Sequence, residues 1–168
     1  MLLSNFKNRK KDDIQQEERQ FIVFTVGQER FGVDVNQIKQ VIPVMEATHI
    51  PNSPSFVKGV INLRGDIIPI IDLADKLSLK QNQVDEEKKR IIIVELDEIS
   101  NIGMLVDTVT EMIRIHADKI TDASEIARAV HTDYIQGVAK IDKQLLILLN
   151  LNKVLTTEEL IELGKIEF

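Results

Sequence analysis

The chain has 168 residues, 43% hydrophobic and 29% charged, with a net charge of −6. That balance provides for a core and argues against disorder, and its acidic sign argues against nucleic acid or an anionic membrane surface as partner. The absence of cysteine excludes disulfides, thiolate catalysis and zinc–thiolate or iron–sulfur centres.

Residues 1–19 read as a flexible tail, in which Lys7, Arg9, Lys10 and Lys11 are followed by Asp12, Asp13, Glu17 and Glu18. The start lacks the long apolar stretch of a signal peptide, and no run approaches the roughly 20 residues of a membrane span, so the cytoplasm is the expected compartment without direct membrane insertion. Residues 21–26, rich in β-branched and aromatic side chains, predict a strand, a turn at 27–30, and a return strand over 31–35. Residues 35–42 fit helical spacing or a bent strand, up to Pro43. After a rigid loop at Pro51-Asn52-Ser53-Pro54, strands 56–63 and 67–71 form a hairpin across Arg64-Gly65-Asp66. A short helix is expected over 73–79 and a polar linker over 80–89. Strands 91–96, 103–108 and 109–115 follow, then a long polar loop, then strands 134–141 and 145–149. In the C-terminal segment Thr156 and Glu159 have capping-box spacing, and Gly164 is placed to end the helix.

The second half repeats the first. Phe56-Val57-Lys58-Gly59-Val60-Ile61-Asn62-Leu63 matches Tyr134-Ile135-Gln136-Gly137-Val138-Ala139-Lys140-Ile141, and the match continues without a gap to Asp72-Leu73 against Asn150-Leu151, at an offset of 78. Upstream, Phe31-Gly32-Val33 matches Ile102-Gly103-Met104 at an offset of 71, so the seven extra residues of the second half fall within 117–133. A unit of this size alone buries only about 60% of its unfolded surface, so the halves should share an interface. The expected organisation is two intertwined or packed subdomains, about 20–80 and 90–155, superposable on each other. The expected core includes Phe24, Val33, Val60, Ile70, Val94, Val106, Val138 and Leu148.

The search for catalytic chemistry is negative. His49, His116 and His131 lack partners at metal-binding spacing, and there is no phosphate loop or nucleophile elbow. Asp72 and Asp107 stand in apolar surroundings, but they align with Asn150 and Asn36. Asn shares their turn and capping geometry without their proton chemistry, which favours a structural role. No catalytic residue, metal or cofactor is therefore assigned. Arg64 aligns with Asp142 and so breaks the repeat. It is either a solvated turn charge or a guanidinium aimed at the seam between the halves.

The block from Phe56 to Leu73, with Phe31-Gly32-Val33-Asp34-Val35 and Gly103-Met104-Leu105-Val106-Asp107, resembles the CheW family of bacterial chemotaxis coupling proteins over residues 21–160. The resemblance implies a mainly β fold of two SH3-like five-stranded β-barrels with short helices and a C-terminal helix. It implies a non-enzymatic adaptor coupling the cytoplasmic tips of chemoreceptors to the regulatory domain of the histidine kinase CheA, recruited to membrane-associated receptor arrays. A scaffold of another bacterial signalling array is the alternative. Carried over, the receptor-binding positions are Ile38, Gln40, Val41, Gly59, Arg64, Val109 and Met112, and the kinase-binding regions lie around Ala47 and Ile91. Family members often carry glutamate where this chain has Gln40, which removes a salt bridge to Arg64 and leaves a neutral hydrogen bond or Glu46 as substitutes.

Overall fold

The computed structural model describes residues 17–96, 101–122 and 133–164. The first half contributes β1 (Glu18–Val26), β2 (Glu29–Asp34), β3 (Ile38–Pro43), β4 (Val57–Leu63), β5 (Asp66–Asp72) and the short helix α1 (Leu73–Lys76). The second contributes β6 (Arg90–Val94), β7 (Ile102–Val106), β8 (Thr108–His116), β9 (Ile120–Asp122), β10 (Ile135–Ile141), β11 (Gln144–Leu149) and α2 (Thr157–Gly164). The ambiguous stretch after β2 resolves into a 3-10 turn, Val35–Gln37, and then strand. Strand β1 begins within the expected tail. Glu18 and Arg19 continue the ladder with β8, and Arg19 Nη2 lies 2.9 Å from Asp34 Oδ2. The tail up to residue 16 lies outside the described residues.

The strands assemble into a six-stranded sheet, β8-β1-β2-β11-β10-β9, and a five-stranded sheet, β3-β6-β7-β5-β4. Each sheet draws on both halves. Through the repeat, β6, β7 and β8 correspond to β1, β2 and β3, and β10 and β11 to β4 and β5. Each sheet therefore takes its first hairpin from one half and its remaining strands from the other. The register keeps the equivalence. Leu148 and Leu149 pair in parallel with Gly32 and Val33, and Ile70 and Ile71 with Gly103 and Met104. Hairpins β4–β5 and β10–β11 share a bulge at the same place, between Val57 and Gly59 and between Ile135 and Gly137. Both turn through two residues of positive φ, Arg64-Gly65 and Asp142-Lys143, the geometry that suits strand twist. Boundaries at 20–80 and 90–155 therefore do not delimit the sheets: the chain crosses between them after β2 and again after β7.

The sheets are open rather than closed five-stranded barrels. Among the described residues no ladder joins β8 to β9 or β3 to β4. The chain itself turns these corners, through the 3-10 turn Ala117–Lys119 in one sheet and through residues 44–47 in the other, where Thr48 makes a single bridge to Val60. Each sheet still curls around a core of its own. One contains Phe21, Val23, Ile115 and Leu146, and the other Ile61, Ile68, Ile70 and Ile93. A third and larger core lies between the sheets and includes Phe24, Val33 and Leu149 from one and Ile71, Ile92 and Met104 from the other. Six of the eight expected core residues are buried. Val60 and Val138 are only partly so, because alternation along β4 and β10 turns Val57, Gly59 and Ile61, and Gly137 and Ala139, inward instead.

The C-terminal helix closes one side of the central core with Leu163. Its capping box forms: Thr156 Oγ1 accepts the Glu159 N–H at 3.1 Å, and Glu159 Oε1 accepts the Thr156 N–H at 2.8 Å. Lys76 Nζ of α1 lies 3.1 Å from Glu159 Oε2. Desolvation pushes the Glu159 carboxyl up, but the Thr156 hydrogen bonds and Lys76 outweigh it and hold the group below its ordinary value of 4.5. A depressed carboxylate stabilises the fold above its unfolded pKa and loses that contribution as pH falls through the folded value. Glu159→Gln is thus expected to melt below the parent at pH 7, with the gap closing as pH is lowered past 4. A gap that persists unchanged at pH 3 would assign it to packing.

Candidate protein-binding surface

Strands β3 and β8, equivalent by the repeat, are each an edge of a sheet. On β3, Ile38 pairs with Val94, Gln40 with Ile93 and Val41 with Ile92, across a bulge between Ile38 and Gln40. On β8, Val109 stands opposite Phe24 and Met112 opposite Ile22, across a bulge next to Val23. Ile38, Val41 and Val109 are each partly buried against the central core. Ile22 belongs with them and was not among the expected site residues. Its signal was its position in β1, alternating with Phe21 and Val23 so as to face the other side. Met112 shares the cross-strand position of Ile22 but is 57% exposed, an apolar side chain without cover.

Arg64 occupies the β4–β5 turn, is exposed, and has φ of 54°. Its side chain makes no hydrogen bond or ion pair with any described residue, so neither Gln40 nor Glu46 substitutes for the missing salt bridge. Asn62 Oδ1 ties the turn by accepting the Gly65 N–H at 2.9 Å.

Two expected contact residues are interior instead. Gly59 is buried at the β4 bulge, where a Cβ would come within 2.4 Å of the Thr48 carbonyl oxygen, so it shapes the sheet and offers no surface. Ile91 is 1% exposed because β6 runs between β3 and β7, with its side chain in the core of the five-stranded sheet. Ala47, half-buried, packs on the same core as Ile91. His49 is exposed, His116 Nε2 sits 3.4 Å from Glu18, and His131 lies outside the described residues. Among the described residues no group of three or more His, Asp or Glu could hold a metal.

Asp72 and Asp107, two of the three buried aspartates among the described residues, have structural partners. Asp72 Oδ1 accepts the Asp75 N–H at the start of α1, and Oδ2 faces Gln81 Nε2 at 3.2 Å and Lys58 Nζ at 3.4 Å. Asp107 Oδ2 accepts the Gly27 N–H at 2.8 Å. Asn150 serves its turn as Asp72 does, accepting the Asn152 N–H at 3.1 Å. A neutral amide thus does the same capping work as the carboxylate.

Comparison with known proteins adds the family. A CheW-like domain matches residues 20–159. The chain belongs to the CheW family. Among its relatives, the chemotaxis protein CheW of Klebsiella aerogenes is 34% identical over 142 residues, covering 84% of each chain. CheW of Thermotoga maritima is 33% identical over 138 residues, covering 82% of this chain and 88% of the relative. The crystal structure of the scaffolding protein TtCheW from Thermoanaerobacter tengcongensis superposes with a TM-score of 0.75 at 31% identity, covering 84% of this chain and 90% of that one. The strand exchange and open sheets described above are therefore this chain's form of a CheW fold. Among the described residues no helix is long and apolar enough to cross a membrane.

Proposed function

We propose that the chain is a non-enzymatic adaptor that couples the cytoplasmic tips of chemoreceptors to the regulatory domain of CheA, working in the cytoplasm at membrane-associated receptor arrays. Family membership supports the class of function, and the scaffolding role named for TtCheW agrees with it. The observation that carries the reading is the pair of repeat-equivalent edge strands, β3 and β8, whose apolar side chains Ile38, Val41 and Val109 border one core, with Met112 exposed opposite Ile22 on β8. An amphipathic receptor helix would lay its i, i+3, i+4 face on such a border, with Gln40 and Arg64 as the polar and charged contacts. Gly59 contributes through the shape of β4. The curled sheets are the counterparts of the SH3-like barrels, and the kinase would dock at the outer end near Ala47, over the buried Ile91.

The test is binding of the purified chain to an isolated CheA regulatory domain and to a receptor-tip fragment from the same cell, measured separately and together. Both are expected to bind, without competing. A folded chain that binds neither, or binds them only in competition, would overturn the reading.

A further inference from the structure

A cavity of about 300 Å³ opens on the five-stranded sheet beneath the linker between the halves. Its charged lining is Lys58 and Lys89 against Asp72, Glu86 and Asp107, which leaves one negative charge unmatched. Two of the carboxylates are already engaged by lysine, Asp72 with Lys58 at 3.4 Å and Glu86 with Lys89 at 2.9 Å. Asp107 is the remainder. It is only 6% exposed, its Oδ2 accepts the Gly27 N–H, and its Oδ1 has no hydrogen-bond partner among the described residues.

At the repeat-equivalent positions the other half carries neutral amides, Asn36 for Asp107 and Asn150 for Asp72. The residue after Asn36 also differs from its counterpart. Gln37 reaches across, donating to Asn150 Oδ1 at 3.0 Å and accepting the Leu151 N–H at 2.9 Å. Its counterpart, Thr108, is too short and bonds Thr25 instead, with the hydroxyls 2.6 Å apart. At these positions one half carries two neutral amides, one of them bonded by Gln37, and the other carries two carboxylates that line an open cavity. Ala47, Ile91 and Leu105 supply an apolar wall beside Asp107.

We propose that this cavity binds a compact organic cation, an alkyl guanidinium or alkyl ammonium, with its charged head on Asp107 and its stem against Ala47, Ile91 and Leu105. An organic cation suits the site better than a metal ion, because the lining mixes lysines with carboxylates and no described cluster has metal-binding composition. Burial holds the Asp107 carboxyl above its ordinary value, against the Gly27 hydrogen bond and Lys89, so the bare anion is the costly form that a cation would relieve. The cavity shares Ala47 and Ile91 with the end where the kinase is proposed to dock, but the inference rests on the cavity itself and is tested without a kinase.

The experiment is an amide NMR titration of the full chain at pH 7 with n-butylguanidinium, with neutral n-butylurea as the isosteric control. Butylguanidinium is expected to shift the Gly27 and Asp107 amides saturably, and butylurea to leave them in place. Asp107→Asn, which installs the residue found at the equivalent position 36, is expected to weaken binding at least tenfold. Ala47→Leu, which narrows the cavity without touching the charge, should weaken it too and serves if the first variant fails to fold. A capped Gly-Arg-Gly peptide separates the two sources of the same chemistry. Saturable shifts from the peptide point to a partner's arginine side chain, and shifts from butylguanidinium alone point to a free small cation. Absence of saturable shifts at Gly27 and Asp107 with both cations, or titrations unchanged in both variants, would overturn the proposal.

Discussion

Gly59→Ala is expected to destabilise the protein by at least about 3 kcal/mol, more than the same change at its repeat counterpart. At Gly59 φ is +145°, a region that costs an L side chain of the order of 1–3 kcal/mol by itself. The added methyl would also sit 2.4 Å from the Thr48 carbonyl oxygen and 2.8 Å from its carbon, which are backbone atoms that cannot rotate away. Relief would require breaking the bridge in which Thr48 and Val60 exchange N–H···O bonds of 2.8 and 2.9 Å. That bridge turns the corner from β3 back onto β4, so its loss would loosen one wall of the five-stranded sheet. At Gly137 the methyl would stand 2.9 Å from the Thr121 carbonyl oxygen, without a positive φ. Gly137→Ala should therefore cost about 1–2 kcal/mol. Urea unfolding of the two variants checks the order. Equal costs, or a Gly59 cost below 1 kcal/mol, would mean the bulge yields. If the order holds, any loss of partner binding in Gly59→Ala follows from distortion of the sheet rather than from a lost contact.

Much of the fold was legible because each element carries its own local chemistry. The β4–β5 and β10–β11 hairpins follow from β-branched runs around short turns, and the C-terminal cap from Thr156 and Glu159. The reciprocal exchange of strands was not. Offsets in the sequence establish that two units exist, but say nothing about whether β2 pairs with β5 or with β11. That choice rests on contacts more than a hundred residues apart, such as Gly32 against Leu148. Closed barrels were what the family resemblance implied, and they fail at corners where the chain turns without a ladder. Val60 and Val138 were misassigned for a smaller reason. Val60 shares its strand face with Lys58 and Asn62, and Val138 with Gln136 and Lys140, so the polar neighbours two residues away were the signal that both turn outward. At the candidate surface, the grouping of Ile38 with Val109 was legible through their equivalence. The burial of Ile91 was not, since an apolar run reads the same whether a strand is central or at an edge.

Met112→Asp and Arg64→Ala are expected to leave the fold intact and to abolish or weaken receptor binding selectively. Met112 lies 57% exposed on an edge strand, so replacing it removes little buried area from the free protein, and the stability change should stay below about 1 kcal/mol. In a complex the same side chain would be covered. Losing its burial costs about 1.5–3 kcal/mol, and an aspartate in its place adds the desolvation of a charge without a partner. A hundredfold loss of receptor affinity, about 2.8 kcal/mol, is the least expected. Arg64 contributes differently. Its side chain has no described partner to lose, and alanine meets the same left-handed backbone that arginine already tolerates, so the melting temperature should hold. A charge-assisted hydrogen bond from its guanidinium to the receptor would be worth about 1.5–3 kcal/mol, and its removal should weaken binding roughly ten- to a hundredfold. Binding to the CheA regulatory domain is expected to be unchanged in both, because Met112 belongs to the other sheet from Ala47 and the Arg64 side chain bonds to nothing around it among the described residues. Melting curves and separate titrations with kinase and receptor fragments decide the matter. If Arg64→Ala lowers the melting temperature steeply and receptor binding falls only with the unfolded fraction, Arg64 is an anchor of its own hairpin. If Met112→Asp loses kinase and receptor together while folded, the two partners share the β8 edge and the division of surfaces is wrong.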